Sequence, residues 1–238
     1  METPRLLIER KHFVYMNNFF YLMIFIIIIL FSYGCKKDPS ANTPEYLDAH
    51  GIKKEEENII RIENIAFKIP ADIPMNVYTV GDIKSGQTDT LTVYLDFSYL
   101  LEHTWDGGIL APWMVRVEME KFLYENPKNS DFRLQANKWS KEIDNTELGL
   151  TEFHSKNYRG GWGYISYQSS VKQVATPLGG PVQFRCTGYP IGKIDTCWGG
   201  YQHPNGFYVS YFISNELLPY WREIHQNVVR KVNSLIIE

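Results

Sequence analysis

The sequence lacks the short motifs that mark the common kinds of active site. It has no Gly-x-Ser-x-Gly element, which would expose a nucleophilic serine, and no Gly-x-x-x-x-Gly-Lys element, which would bind phosphate groups. Its six histidines are isolated from one another, with no His-x-x-x-His pair of the kind that holds zinc. We therefore expect a protein that is not an enzyme and that uses no metal and no cofactor.

The sequence also lacks an excess of positive charge. Its 24 lysines and arginines are outnumbered by 27 aspartates and glutamates, which gives a formal net charge of −3. A nucleic-acid-binding protein needs a basic face that displaces counterions from the phosphates. The composition therefore argues against a nucleic-acid partner.

Cysteine is scarce, with three residues in the chain. Cys186 and Cys197 lie in two segments typical of hairpin strands, and a turn at Ile191 and Gly192 places the two cysteines opposite each other. Cross-strand Cβ atoms lie about 4.5 to 5.5 Å apart, within reach of a disulfide after a modest adjustment. We predict a disulfide between Cys186 and Cys197. Two free thiols are the alternative, and a zinc site would need ligands that the sequence does not supply.

One long apolar run is present, from Phe19 to Phe31. A helix of this length reaches roughly 20 Å, short of the ~30 Å hydrocarbon core of a membrane. Basic residues precede the run, and Cys35 follows it, after the small residues Ser32 and Gly34. These features resemble the signal peptide of a bacterial lipoprotein, which is cleaved before the cysteine that receives the lipid. A lipobox usually has leucine where Ser32 stands, and a signal anchor that is never cleaved is the alternative.

The lipoprotein resemblance divides the chain into three parts. Residues 1–34 are the predicted signal peptide, residues 35–58 a polar, lipidated tether, and residues 59–238 a single folded domain. Lys36 stands where aspartate would retain a lipoprotein in the inner membrane. The resemblance therefore implies a protein of the cell envelope that faces the periplasm and is anchored by its lipid, in the outer membrane.

Aromatic residues make up 15% of the chain, a composition that favours strands and contact surfaces. Apolar residues alternate with polar ones in several segments, as they do in half-buried strands. This pattern predicts strands at residues 65–70, 91–97, 115–119, 148–153 and 162–168. Residues 121–145 fit neither the helical nor the strand period, and we predict a loop there, with room for a short helix.

The C-terminal third has the clearest pattern. Residues 182–189 and 196–202 form the predicted cysteine hairpin, and Asn205 and Gly206 turn the chain into a third strand, because Asn-Gly between apolar strands is a strong hairpin signal. After Ser214 or Asn215, which would cap it, an amphipathic helix is predicted. Its apolar residues recur at spacings of three and four and would face the sheet: Trp221, Ile224, Val228, Val232 and Leu235.

The predicted fold class is therefore α+β. It consists of an aromatic-rich antiparallel sheet that is covered by a C-terminal amphipathic helix and carries one hairpin disulfide. The segment from Gly206 through Trp221 to Val232 resembles the tail of periplasmic immunity lipoproteins, which protect bacteria from toxins delivered by type VI secretion. That resemblance implies a stoichiometric binding protein whose protein partner is a cognate toxin. It carries over no binding residue.

Two other functions remain open at this point. One is an envelope assembly or scaffolding lipoprotein, and the other is a cell-wall glycan hydrolase that uses carboxylates such as Asp96, which lies near aromatic residues. The sequence does not fix the oligomeric state.

Four aromatic residues stand in segments predicted to be loops or their borders: Trp105, Trp113, Tyr158 and Trp162. Exposed tryptophans and tyrosines supply much of the binding energy at protein interfaces. We predict that these four residues contact the partner. The alternative is that each of them belongs to the core.

Overall fold

The computed structural model describes residues 43–101, 113–121, 138–155, 163–188 and 195–237. The predicted signal peptide and Cys35 lie outside these residues, and both remain predictions. None of the described helices is long and apolar enough to cross a membrane.

The first described element is a short helix, α1 (Pro44–Ala49). The hydroxyl of Thr43 accepts a hydrogen bond from the backbone N–H of Tyr46 at 3.2 Å and so caps the helix. Such a cap contributes about 1 kcal/mol. Proline at the first helical position already has the backbone angle that a helix needs. These local features define where the helix begins.

Tyr46 and His50 attach α1 to the folded domain. The Tyr46 side chain is 4% exposed, and its hydroxyl accepts a hydrogen bond from the backbone N–H of Thr79 at 2.9 Å. His50 is fully buried, and its Nδ1 donates to the Tyr46 carbonyl at 2.9 Å. The folded domain therefore includes residues that the sequence analysis assigned to the tether at 35–58, because a buried tyrosine and histidine fix this segment in place.

Three strands form a small antiparallel sheet: β1 (Asn58–Ile62), β2 (Ile65–Ile69) and, from the C-terminal end, β12 (Ile236–Ile237). β2 lies in the centre. Glu63 makes the turn between β1 and β2 with a φ of 54°, in the left-handed region. The strand predicted at residues 65–70 is confirmed, but it is the second strand of the described residues, since β1 precedes it with an alternating burial pattern of its own.

Nine strands form the main sheet of the described residues, and every neighbouring pair is antiparallel. Their order is β3-β4-β5-β11-β10-β9-β8-β7-β6. The strands are β3 (Met75–Tyr78), β4 (Thr90–Asp96), β5 (Met114–Lys121), β6 (Trp139–Asn145), β7 (Leu150–Ser155), β8 (Gly163–Gln168), β9 (Gln183–Gly188), β10 (Thr196–Gln202) and β11 (Phe207–Ser214).

The strands predicted from alternation are confirmed at β4, β5, β7 and β8, as are the three strands of the C-terminal third. The prediction of a loop over residues 121–145 is wrong for its last part. Residues of this segment form β6, an edge strand whose burial follows no strict alternation. Its polar and charged side chains hid the strand period.

The predicted C-terminal helix is confirmed as α2 (Trp221–Leu235). The predicted cap at Ser214 or Asn215 is wrong, because a 3₁₀ helix (Asn215–Tyr220) comes first and Tyr220 is the N-cap residue of α2. All five residues of the predicted apolar stripe are buried. Trp221 packs edge-on against the Phe184 ring of β9, with 6.0 Å between ring centroids, and its indole N–H donates to the Leu148 carbonyl at 2.8 Å. The antiparallel main sheet and the helix that covers it confirm the predicted α+β fold class.

The predicted disulfide is also present. Cys186 and Cys197 are register partners on β9 and β10, and their Cα atoms lie 4.0 Å apart. Both residues are fully buried on the helix-facing side of the main sheet. The predicted turn residues, Ile191 and Gly192, lie outside the described residues.

Candidate functional site

Across β4, β5, β11, β10 and β9, the main sheet has one buried face and one partly accessible face. On β11, Phe207, Val209 and Tyr211 are buried toward α2 and the small sheet, whereas Tyr208 and Phe212 on the opposite face are half-buried. The same alternation holds on β4 and β5. We call the second face of β4, β5, β11, β10 and β9 the open face.

Strand register places five large side chains in a single line across the open face. Each is the register partner of the next on the neighbouring strand: Tyr94, Arg116, Phe212, Trp198 and Arg185. Since neighbouring strands lie about 4.8 Å apart, four spacings make this line about 19 Å long. We call these five residues the aromatic-arginine row.

Contacts inside the row hold its side chains in place. The Arg116 guanidinium lies over the Phe212 ring, 4.0 Å from the centroid, and its Nε lies 3.2 Å from a carboxylate oxygen of Glu118. A cation-π contact of this kind is worth about 0.5 to 1 kcal/mol at an exposed site. The Tyr94 hydroxyl accepts a hydrogen bond from the Asn76 side chain at 3.1 Å. These contacts fix Tyr94, Arg116 and Phe212 in the free domain, and side chains that are already fixed lower the entropy cost of binding.

A depression lies at the Arg185 end of the row. Its volume is about 240 Å³, and it is lined by Gln183, Phe184, Arg185, Trp198, Gly199, Gly200 and Tyr208. A Cβ atom at Gly200 would lie 2.8 Å from Cζ of Tyr208, so any side chain at this position would displace the tyrosine. We call this feature the Gly200 depression.

A second concavity, of about 500 Å³, lies at the Tyr94 end of the row, between the end of β4 and α2. Tyr99 stands at its mouth, 64% exposed, with its hydroxyl 3.1 Å from a Glu223 carboxylate oxygen of α2. Partial burial, with this hydrogen bond and the Glu223 charge, raises the pKa of Tyr99. Tyr94 and Lys231 line the same cavity. We call it the Tyr99 cleft, and Tyr94 makes it continuous with the row.

Of the predicted partner contacts, Trp113 is described. It is half-buried in the turn before β5, its carbonyl accepts a hydrogen bond from the Phe97 backbone N–H at 3.1 Å, and the next residue, Met114, lines the Tyr99 cleft. Trp105, Tyr158 and Trp162 lie outside the described residues. All four remain predicted contacts.

The aromatic-arginine row escaped the sequence analysis because its members come from five strands. A signal was nevertheless present: on each strand, a row residue sits between two positions that are buried on the other face. Only the pairing register of all five strands shows that these residues are neighbours, and the sequence does not give that register.

Two polar clusters lie on the helix-facing side of the sheet. On β7, Oε1 of Glu152 lies 2.5 Å from Nε2 of His154, and burial together with Glu152 raises the pKa of Tyr167 on β8. Under α2, the Tyr211 hydroxyl lies 2.9 Å from Nδ1 of His225, and burial lowers the pKa of His225 to about 4. Within the described ranges, no group of three or more His, Cys, Asp or Glu side chains is placed to hold a metal ion.

Comparison with known proteins adds little. No protein-family model matches the chain, and no curated protein matches it. A solved structure of an immunity protein of the Stenotrophomonas maltophilia type IV secretion system is similar to it, with 13% sequence identity and a TM-score of 0.46. That similarity covers 77% of this chain and 94% of the other. At this TM-score the similarity carries no argument about fold or function.

Proposed function

We propose that this chain is a lipid-anchored protein of the bacterial envelope that acts without turnover, by binding a toxin delivered by type VI secretion and covering it one to one. The observation that carries the binding part of this proposal is the aromatic-arginine row on the open face. The envelope part rests on the signal-like N terminus that ends at Cys35.

The composition of the row supports a protein interface. Tryptophan, tyrosine and arginine are the residues that most often supply binding energy at such interfaces, and lysine and glutamate are depleted in their centres. The row contains one tryptophan, one tyrosine, one phenylalanine and two arginines. Such a set on an accessible sheet face suits protein recognition.

The size of the open face also suits this role. A standard interface covers about 800 Å² on each partner, a patch roughly 30 Å across. The row, about 19 Å long at the strand spacing of a sheet, fits within such a patch together with the concavities at its two ends. A partner that covers the row can therefore insert side chains at both ends.

The oxidised cysteine pair supports an envelope location. Disulfides persist in compartments that oxidise thiols, such as the periplasm, and are rare in the cytosol. Cys186 and Cys197 are joined, and both are buried. We propose that residues 1–34 are removed as a signal peptide, that Cys35 is lipidated, and that the protein faces the periplasm from the outer membrane.

The test uses the product of the gene beside this one, since an immunity protein is encoded next to its toxin. The protein and the toxin are mixed at increasing ratios, and complex formation and toxin activity are measured. We expect a one-to-one complex and complete loss of activity at equivalence. Protection far below equivalence that Asp96→Asn abolishes would show turnover and favour the hydrolase instead.

Row variants link the activity to the open face. Trp198→Ala and Phe212→Ala should each weaken the complex by about 2 kcal/mol, roughly thirtyfold, as for a central interface residue. Tyr220→Ala is the control, because Tyr220 is 39% exposed in the 3₁₀ helix and lies outside the strands of the open face. If all three variants bind the toxin as tightly as the wild type does, the open face is not the binding surface.

A further inference from the structure

The Gly200 depression has the chemistry of an anion site. Among the described residues that line it, Arg185 is the one that carries a charge, although the chain as a whole has a net charge of −3. Its side chain is exposed and makes no ion pair with any described residue. An arginine in this state offers a planar set of donors that matches a carboxylate.

The neighbours of Arg185 complete the site. Burial, together with the charge of Glu120, raises the pKa of the Tyr208 phenol, and the nearby Arg185 guanidinium opposes this shift. Trp198, the register partner of Arg185, forms an apolar wall. Gly200 leaves room for the Tyr208 side chain at the floor of the depression, because a Cβ atom there would lie 2.8 Å from Cζ of Tyr208.

The dimensions limit what can enter. Sites for small-molecule ligands occupy about 300 to 1,000 Å³, whereas this depression has about 240 Å³. It therefore suits a single side chain better than a free ligand. The adjoining row is the surface on which a protein partner is proposed to lie, so a partner side chain would reach the depression.

We propose that the Gly200 depression is a subsite for an aspartate or glutamate side chain of the protein partner, with Arg185 as the residue that pairs with its carboxylate. This inference rests on the proposed function, because the carboxylate is presented by the partner that covers the row. Trp198 contacts the methylene groups of the entering side chain, and the Tyr208 hydroxyl is positioned beside its carboxylate.

The subsite is tested first with a small probe on the full chain in detergent. Phenylglyoxal modifies accessible arginines, and peptide mapping gives the rate at Arg185 and at the exposed Arg61 of β1 as an internal control. N-acetylglutamate should slow modification of Arg185 severalfold, whereas N-acetylglutamine at equal ionic strength should not, and Arg61 should react equally with both. Equal rates at Arg185 with the two probes overturn the subsite, and stronger protection by inorganic phosphate overturns its assignment to a carboxylate.

The second test uses the toxin from the neighbouring gene. Arg185→Gln leaves the core untouched because the side chain is exposed, and it should weaken the toxin complex about tenfold or more. Lys172→Gln, at an exposed loop position, is the matched control and should leave the affinity unchanged. If the unmodified protein binds the toxin and Arg185→Gln binds it equally well, the subsite is wrong and the proposed function stands. If Arg185 is protected by N-acetylglutamate but the unmodified protein binds no toxin, the proposed function is wrong.

Discussion

The stability of the domain should fall steeply between neutral and mildly acidic pH, and His225 should be a main cause. This histidine is 2% exposed beneath α2, and burial lowers its pKa to about 4, with a smaller opposing effect from the Ala175 carbonyl. The groups that face it are the phenols of Tyr211 and Tyr201. Burial raises the pKa of both phenols, so neither carries a negative charge that would favour a protonated imidazole.

The direction in which pH changes the stability follows from the protonation of His225 in the folded and unfolded states. In the unfolded chain His225 takes up a proton near pH 6.5, whereas in the folded domain it stays neutral down to about pH 4. The unfolded state therefore binds more protons between these values, and the free energy of unfolding decreases as the pH falls. The contribution is complete above pH 6.5. At about 1.4 kcal/mol for each tenfold change in proton affinity, roughly 3 kcal/mol is lost by pH 4.

The measurement is urea unfolding of the chain from Ala41 onward, which forms one compact unit, at several pH values between about 7 and 4. His225→Phe should be less stable than the wild type at pH 7, because Tyr211 loses a partner, but its stability should change less with pH. Tyr211→Phe is the matched control, because it keeps the buried imidazole and should keep the steep pH dependence. Parallel pH curves for the wild type and His225→Phe, or an NMR titration of His225 near 6.5, would refute the reasoning.

Three further predictions concern the disulfide, a core glycine and the anchor. Replacing both Cys186 and Cys197 with serine should lower the free energy of unfolding by about 3 kcal/mol, which is the loop-entropy value for a disulfide that closes a loop of this length. Urea unfolding with and without reductant measures this loss, and an unchanged urea midpoint would contradict the prediction. Gly199→Ala should lower the free energy of unfolding by about 1 to 3 kcal/mol, because the new Cβ would lie 2.9 Å from the Phe184 ring. A melting temperature equal to that of the wild type would contradict this prediction. Labelling with a fatty acid should mark the wild-type protein but not Cys35→Ala, and an unlabelled wild type would exclude the lipid anchor.

Local chemistry made the cysteine hairpin predictable. A disulfide needs its two residues opposite each other, so the predicted pairing of Cys186 with Cys197 also fixed the partners on either side of them. The next hairpin was predictable in position but not in detail. His203 pairs with Phe207 around a three-residue loop that ends at Gly206, with φ of 94°. Asn-Gly alone suggests a two-residue loop, and one residue more or less exchanges the two faces of a strand.

The elements that the sequence did not predict are those that depend on distant residues. α1 is too short to be stable alone, and its stability comes from the buried contacts of Tyr46 and His50 with the region of Thr79. β6 is an edge strand, and its segment Trp139–Asn145 carries charges at positions that do not alternate. The aromatic-arginine row is a property of the sheet order, which composition and periodicity do not contain.

The small sheet joins the two ends of the folded chain. β2 lies between β1, which is its neighbour in sequence, and β12, in which Ile236 pairs with Phe67. This central strand is made early during synthesis, yet one of its edges stays unpaired until Ile236 and Ile237 have been made. Folding that precedes synthesis of these two residues therefore cannot close the small sheet. Pairing between segments so far apart in sequence is slow to form, and until then β2 presents an open strand edge.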